Sequence, residues 1–197
     1  DYVVTKVARF PFDKFSDASN KLGTQMKATG EVMSISRTME ESLLKAMRSL
    51  ETGVCHIYHK KFEDWTNDRL LEYIAEPTDD RLYAIAQLIR GGVDLVLIYN
   101  RTKIDMFFLE KFKNIVEFER VVEAAPMDIE VLREAKRMGF SDKFIGQLWG
   151  VSQHDMYLLR EKNGIFPVYK MIDTCASEFA SYVPYFYSTY EEENESI

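Results

Sequence analysis

The chain has 197 residues, 46% of them hydrophobic, which is enough for a buried core and excludes intrinsic disorder. Its 32 acidic and 25 basic residues give a net charge of -7, which disfavours partners that present phosphate backbones or anionic membranes. The longest apolar run, Leu95 to Tyr99, falls far short of the roughly 20 residues of a membrane-spanning helix, and two cysteines, Cys55 and Cys175, are too few to staple a secreted scaffold. A reducing, cytoplasmic setting with no nucleic-acid or membrane partner is therefore expected.

The chain opens at Asp1 directly in a strand-like stretch, with no signal or transit segment, as a piece of a larger protein would. Tyr2 to Phe10 is rich in β-branched and aromatic residues and is closed by Pro11, which predicts a strand. A polar loop containing Gly23 follows. Glu31 to Ser36, just after Gly30, then reads as a second strand, with apolar residues at every second or third position. Thr38 with Glu41 three residues on has the spacing of a capping box, and Met39, Leu43, Met47 and Leu50 recur at helical intervals to about Glu51. These 51 residues carry 8 basic and 7 acidic side chains, so the remainder holds the whole negative balance, and the shift at Thr52-Gly53 marks a domain boundary.

Beyond it, start and stop signals alternate around apolar stripes, which predicts compact helices. One runs from Thr66 to before Pro77. Another begins at Thr78 and carries Leu82, Ile85, Ala86 and Ile89 to Gly91. Val93 to Tyr99 fits a strand or a buried helix, and its neighbours favour the helix. Ile104 to Ala124 should be the longest helix, with an apolar arc of about 200° where a helix on one core shows about 100°, so burial on two sides is expected. Three short helices then start at Asp128, Ser141 and Ser152 and stop at Gly139, Gly150 and Gly164. Phe166 to Lys170 reads as extended, Thr174 to Tyr182 as a short helix, and Tyr190 to Glu195 as an acidic, solvated linker.

Few constellations carry chemistry. Residues 140–164 have the grammar of a helix-turn-helix, which would make the chain a transcription regulator. Yet Lys143, Arg160 and Lys162 are cancelled by Asp142, Asp155 and Glu161, so the segment reads instead as a tight helical pair packed by Phe144, Leu148 and Leu159. Cys55-His56-Ile57-Tyr58-His59 offers thiol and imidazole groups but no second half for a zinc site and no orienting group for a nucleophile, so it reads as a polar linker. Gly23 and Gly30 belong to no phosphate-binding pattern. No catalytic, cofactor-binding or metal-binding residue can be assigned, and no cofactor is expected.

Three segments, Asp1 to Phe15 (Asp-Tyr-Val-Val-Thr-Lys-Val-Ala-Arg-Phe-Pro-Phe-Asp-Lys-Phe), Leu22 to Met33 and Arg37 to Met47, resemble the end of the first synthetase half of carbamoyl phosphate synthetase large subunits. Asn100-Arg-Thr-Lys-Ile-Asp105 with Phe107-Phe108-Leu109, then Pro167 to Lys170, Asp173 to Phe179 and Tyr187 to Glu192, resemble the helical domain that follows it. The resemblance implies a mainly α chain: residues 1–51, two strands and a helix, close an ATP-grasp domain, and residues 52–197 form the helical oligomerisation domain. The parent enzyme joins bicarbonate, glutamine-derived ammonia and two ATP into carbamoyl phosphate for arginine and pyrimidine synthesis, with magnesium or manganese.

The family's nucleotide loop, phosphate-clamping arginines and metal ligands lie before the point matching Asp1, so the fragment should be non-catalytic. Its implied partners are the remaining domains of the large subunit, the glutaminase small subunit and a second copy of itself. A helical block between halves would hold their active sites in fixed relation. Phe107→Asp or Phe118→Asp is expected to impair folding or assembly.

Overall fold

A computed structural model describes residues 2–14, 17–27, 30–175, 178 and 184–196. The described residues form two strands, eight helices and two further strands, in that order. β1 is Val3–Arg9 and β2 is Gly30–Ser36, paired as a two-stranded sheet. The helices are α1 Met39–Ser49, α2 Asn67–Tyr73, α3 Arg81–Arg90, α4 Leu95–Thr102, α5 Met106–Ala124, α6 Ile129–Arg137, α7 Asp142–Trp149 and α8 Gln153–Lys162. β3 Val168–Met171 pairs antiparallel with β4 Phe186–Thr189, with Val168 opposite Thr189 and Met171 opposite Phe186. The mainly helical architecture and the leading β-β-α segment agree with the sequence reading. Most of the helix expected over Thr174 to Tyr182 lies outside the described residues.

Helix boundaries follow the capping grammar. The Thr38 hydroxyl accepts from the Glu41 N–H at 3.2 Å, and the side chains of Thr66, Asp94, Asp128, Ser141 and Ser152 each accept from a backbone N–H of the first turn they precede. Asp105 does the same for the Phe107 N–H at 2.8 Å, which sets the start of α5 two residues later than Ile104. The segment left open between strand and helix is α4, and its Asp94 cap is the local signal that decides it.

The chain divides into two compact units. One comprises Asp1–Thr5, Met33–Ala46 and Arg120–Ile197, the terminal unit; the other comprises Lys6–Val32 and Met47–Glu119, the middle unit. In the terminal unit the first turns of α1 lie on the strands through small hydroxyl side chains. The Ser34 hydroxyl donates to the Ser42 carbonyl at 2.6 Å and the Ser42 hydroxyl to Thr5 at 2.8 Å, all three residues being buried. Gly139 lets the α6–α7 turn approach the same helix: its φ is +93°, and a Cβ there would sit 2.8 Å from the Glu41 Cα. Lys45 donates to the Ile35 and Ser188 carbonyls, both at 2.7 Å, which ties α1 to β4.

β4 was not anticipated, and the acidic tail is not the free linker expected of it. The Glu195 N–H donates to the Tyr169 carbonyl at 2.8 Å, the Tyr169 N–H to the Asn194 side chain at 2.9 Å, and the Met171 N–H to the Glu195 carboxylate at 2.7 Å. Residues 194–195 thus satisfy the edge of β3 that β4 leaves open.

Glu41 is 3% exposed and accepts from Thr189 at 3.0 Å and from the Arg37 N–H at 3.3 Å. Burial raises its carboxyl above the ordinary range, and these hydrogen bonds and Lys45 offset only part of that rise. A carboxyl raised on folding contributes most stability below its unfolded value and loses it as pH rises through the folded one. Glu41→Gln is therefore expected to gain on the parent between about pH 4 and about pH 7.5, read as the difference in urea midpoints at the two pH values. A constant difference would contradict this assignment.

In the middle unit the core gathers Ile57, Phe62, Leu70, Ile74, Leu88, Ile98, Leu109 and Ile115, each at most 1% exposed. An aromatic cluster of Phe62, Trp65 and Tyr73, with ring centroids 5.1–5.4 Å apart, closes one flank. No helix among the described residues is long and apolar enough to cross a membrane.

Candidate functional site

The titratable side chains that could supply chemistry are, for the most part, already engaged with one another. In the middle unit His56, 1% exposed, has its Nε2 2.9 Å from a carboxylate oxygen of Glu119, and Arg90 donates to both Glu119 oxygens at 2.6 and 2.7 Å and to the Ile57 carbonyl at 2.9 Å. Burial pushes the Glu119 carboxyl up, but Arg90 and His56 outweigh it and hold the group below its usual range. Burial lowers the His56 pKa more than Glu119 raises it, so the ring is neutral at pH 7 and its Nε2–H donates to the carboxylate.

This corrects the reading of residues 55–59 as a polar linker, since His56 and Ile57 are part of the core. The cluster is also split. His59 turns to cap the Lys60–Phe62 turn, its Nδ1 accepting from the Lys61 N–H at 3.0 Å, and Cys55 is a free, half-buried thiol. No group of three His, Cys, Asp or Glu side chains suited to a metal ion occurs among the described residues. Gly30 opens β2 and Gly23 lies in the loop before it.

A cavity of about 500 Å³ in the middle unit is lined by Val7, Leu22, Leu50, Asp79, Asp80 and Tyr83, among others. Its most buried acid, Asp80, accepts from Lys61 at 2.5 Å, Tyr73 at 2.6 Å and Thr78 at 3.0 Å. Burial raises the Asp80 carboxyl, but Lys61 and Tyr73 reverse the shift and hold it low, so its charge is already neutralised.

The helical pair α7–α8 does adopt a tight turn. Gly146 makes it possible, because a Cβ there would lie 2.5 Å from the Val151 carbonyl oxygen. Its charges are not those of a DNA reader. Arg160, one of the three cations of the segment, points inward and makes a bidentate contact with Asp142 at 2.7–3.0 Å. Asp142 also accepts from Lys136 at 2.9 Å, so both cations are spent on one half-buried carboxylate.

Among the described residues, large apolar side chains stand open on α4 and the start of α5, as they do at Tyr157, Leu158, Phe166, Tyr169 and Tyr185. Val96, Leu97, Tyr99, Phe107 and Phe108 fall within thirteen consecutive positions and are 38–53% exposed. The sequence predicted α5 to be buried on two sides. The structure buries one stripe, Leu109, Phe112, Ile115, Val116, Glu119 and Val122, and leaves Phe107 and Phe108 open. Lys103 lies 5.1 Å from the Tyr99 ring centroid and Lys111 5.4 Å from that of Phe107, so cations brace the exposed rings. An apolar cluster rimmed by charge is the ordinary anatomy of an association surface rather than of a catalytic pocket.

The chain was compared with protein-family models. The model described as carbamoyl-phosphate synthetase large chain, oligomerisation domain, matches residues 31–164, more than half of the sequence. This chain belongs to the carbamoyl-phosphate synthetase large-chain oligomerisation domain family.

Proposed function

We infer that the chain is a non-catalytic structural and self-association module of a carbamoyl-phosphate synthetase large chain. The match over residues 31–164 carries this reading, and the exposed apolar face supports it. In this reading residues 1–51 close an ATP-grasp domain and residues 52–197 form the oligomerisation domain, a division supported by the shift in charge balance near residue 52. The parent would make carbamoyl phosphate from bicarbonate, glutamine-derived ammonia and two ATP, with magnesium or manganese. Its reactions would occur in the synthetase halves and its glutaminase small subunit. An enzyme that passes unstable intermediates between separate sites needs those sites held in relation, and the module serves that need. Its two half-buried thiols, Cys55 and Cys175, fit a reducing, cytoplasmic setting.

The test is the solution mass and ligand behaviour of the 197-residue chain. Sedimentation across a concentration range is expected to show mass rising above the 23.0 kDa monomer, with no ATP turnover and no salt-dependent retention on DNA. ATP turnover by the pure chain would overturn its non-catalytic role. DNA affinity that falls steeply with salt would favour a regulator using residues 140–164.

A further inference from the structure

We propose that the cavity of the middle unit binds a small zwitterion with an apolar body, the chemistry of a free α-amino acid with a large aliphatic side chain, held between Asp79 and Arg81. The site is separate from the association reading and stands whatever the mass of the chain in solution.

The cavity is built by four segments that are distant in sequence. The end of β1 supplies Val7, the end of α1 supplies Met47 with Leu50 just beyond it, and the start of α3 supplies Leu82 and Tyr83. Leu22 is the fourth wall, and it is clipped in place. Its N–H donates to the Pro77 carbonyl at 2.6 Å, Lys21 pairs with Glu76, and Lys21 forms an antiparallel bridge with Thr78. Met47, Leu50 and Tyr83 are buried, so that side of the cavity is sealed. Its volume of about 500 Å³ lies within the range of small-ligand sites.

Charge selects the class of ligand. Asp80 is answered by Lys61, Tyr73 and Thr78, and Arg9 donates to the Phe10 carbonyl at 2.5 Å. Arg81 and Asp79, which also line the cavity, are left short. Arg81 makes one long hydrogen bond, 3.4 Å to the Ile74 carbonyl, and meets no carboxylate among the described residues. Burial lowers its pKa with nothing opposing the shift. Asp79 is raised above the ordinary carboxylate range by burial and by the charge of Asp80, and its own N–H, Asn20 and Lys61 offset only part of that rise.

A ligand carboxylate would give Arg81 the partner it lacks, and a ligand ammonium would do the same for Asp79, in a site where water is partly excluded. A lone anion leaves Asp79 unanswered and adds to the three carboxylates of the lining, Glu51, Asp79 and Asp80. A lone cation leaves Arg81 unanswered. A zwitterion is matched on both sides, and its apolar body covers Val7, Leu22, Leu50 and Leu82.

Three probes separate the charges on the 197-residue chain: L-leucine, N-acetyl-L-leucine, which lacks the ammonium, and L-leucinamide, which lacks the carboxylate. In titrations followed by amide chemical shifts, L-leucine should saturate residues 78–83 with a Kd of about 1 mM or below, and each single-charge probe should bind about 10-fold more weakly. Arg81→Gln should weaken L-leucine about 10-fold and leave L-leucinamide unchanged, whereas Asp79→Asn should weaken L-leucine and leave N-acetyl-L-leucine unchanged. The urea midpoint of Arg81→Gln should stay close to that of the parent, since the side chain gives up a single 3.4 Å contact. Should that variant fail to fold, the probe series on the parent and the Asp79→Asn titration decide the matter. No shift with L-leucine up to about 20 mM, or equal binding of the three probes, overturns the site. Equal weakening of L-leucine and L-leucinamide by Arg81→Gln overturns the carboxylate contact assigned to Arg81.

Discussion

Glu119→Gln should destabilise the fold by about 3–5 kcal/mol, the cost of leaving buried charge without its partner. Gln keeps the shape of the side chain but removes the carboxylate that both Arg90 and His56 address, and neither side chain has ready access to water: Arg90 is 17% and His56 1% exposed at the side chain. The Arg90 guanidinium would keep its bond to the Ile57 carbonyl but face one neutral amide oxygen in place of two charged carboxylate oxygens, with the amide NH2 turned against a donor. Urea denaturation at pH 7 measures the effect, and a shift comparable to that of an exposed ion pair, below about 1 kcal/mol, would show that the cluster is hydrated.

The same cluster fixes how stability depends on acid. His56 is lowered on folding, so its contribution is complete above the unfolded histidine value and is lost as pH falls from there toward the folded value. Glu119 is also lowered, which adds a second loss as pH falls through its folded value, below the usual carboxylate range. Acid denaturation should therefore begin below about pH 6.5, well before ordinary carboxylates protonate. His56→Gln should remove that early limb while leaving the later one.

Asp142→Asn is expected to have an effect of similar size, about 3–5 kcal/mol, through two cations at once. Lys136 and Arg160 are 6% and 8% exposed, and their nitrogens reach Asp142 at 2.7–3.0 Å. Burial opposes the ionised Asp142 carboxyl, but Arg160 and Lys136 overcome it and hold the group low. Each cation also binds a carbonyl, Phe140 for Lys136 and Ile165 for Arg160, and Tyr190 lies over both at 5.0 and 5.8 Å. The carboxylate thus supports the α6–α7 turn, the end of α8 and the start of the C-terminal tail together. Adding Lys136→Met to Asp142→Asn should recover part of the loss, because one orphaned cation is then gone. Additive losses in the double variant would contradict the shared-carboxylate description.

Much of the fold was legible because its helices are delimited locally. Asp128, Ser141 and Ser152 announce α6, α7 and α8 by their own side chains, and Gly139 and Gly150 end their turns with positive φ. What escaped depends on separation in sequence. Nothing near His56 indicates that Glu119, 63 residues on, will meet it, and β4 pairs with a strand that ends 15 residues before it begins. The apolar arc on α5 was expected to be covered on two sides, either within the domain or with a neighbouring domain or subunit on one of them. Sequence periodicity shows that a face is apolar but not what covers it, so nothing in the arc marks Phe107 as a residue that the chain itself leaves open.

Amide hydrogen exchange of the 197-residue chain, recorded at low and at high protein concentration, examines that open face directly. If it is the self-association surface, exchange should slow with concentration in the peptides spanning residues 96–108 and stay unchanged across α7 and α8. Protection that builds in α7 and α8, with 96–108 exchanging at the same rate throughout, would contradict the assignment.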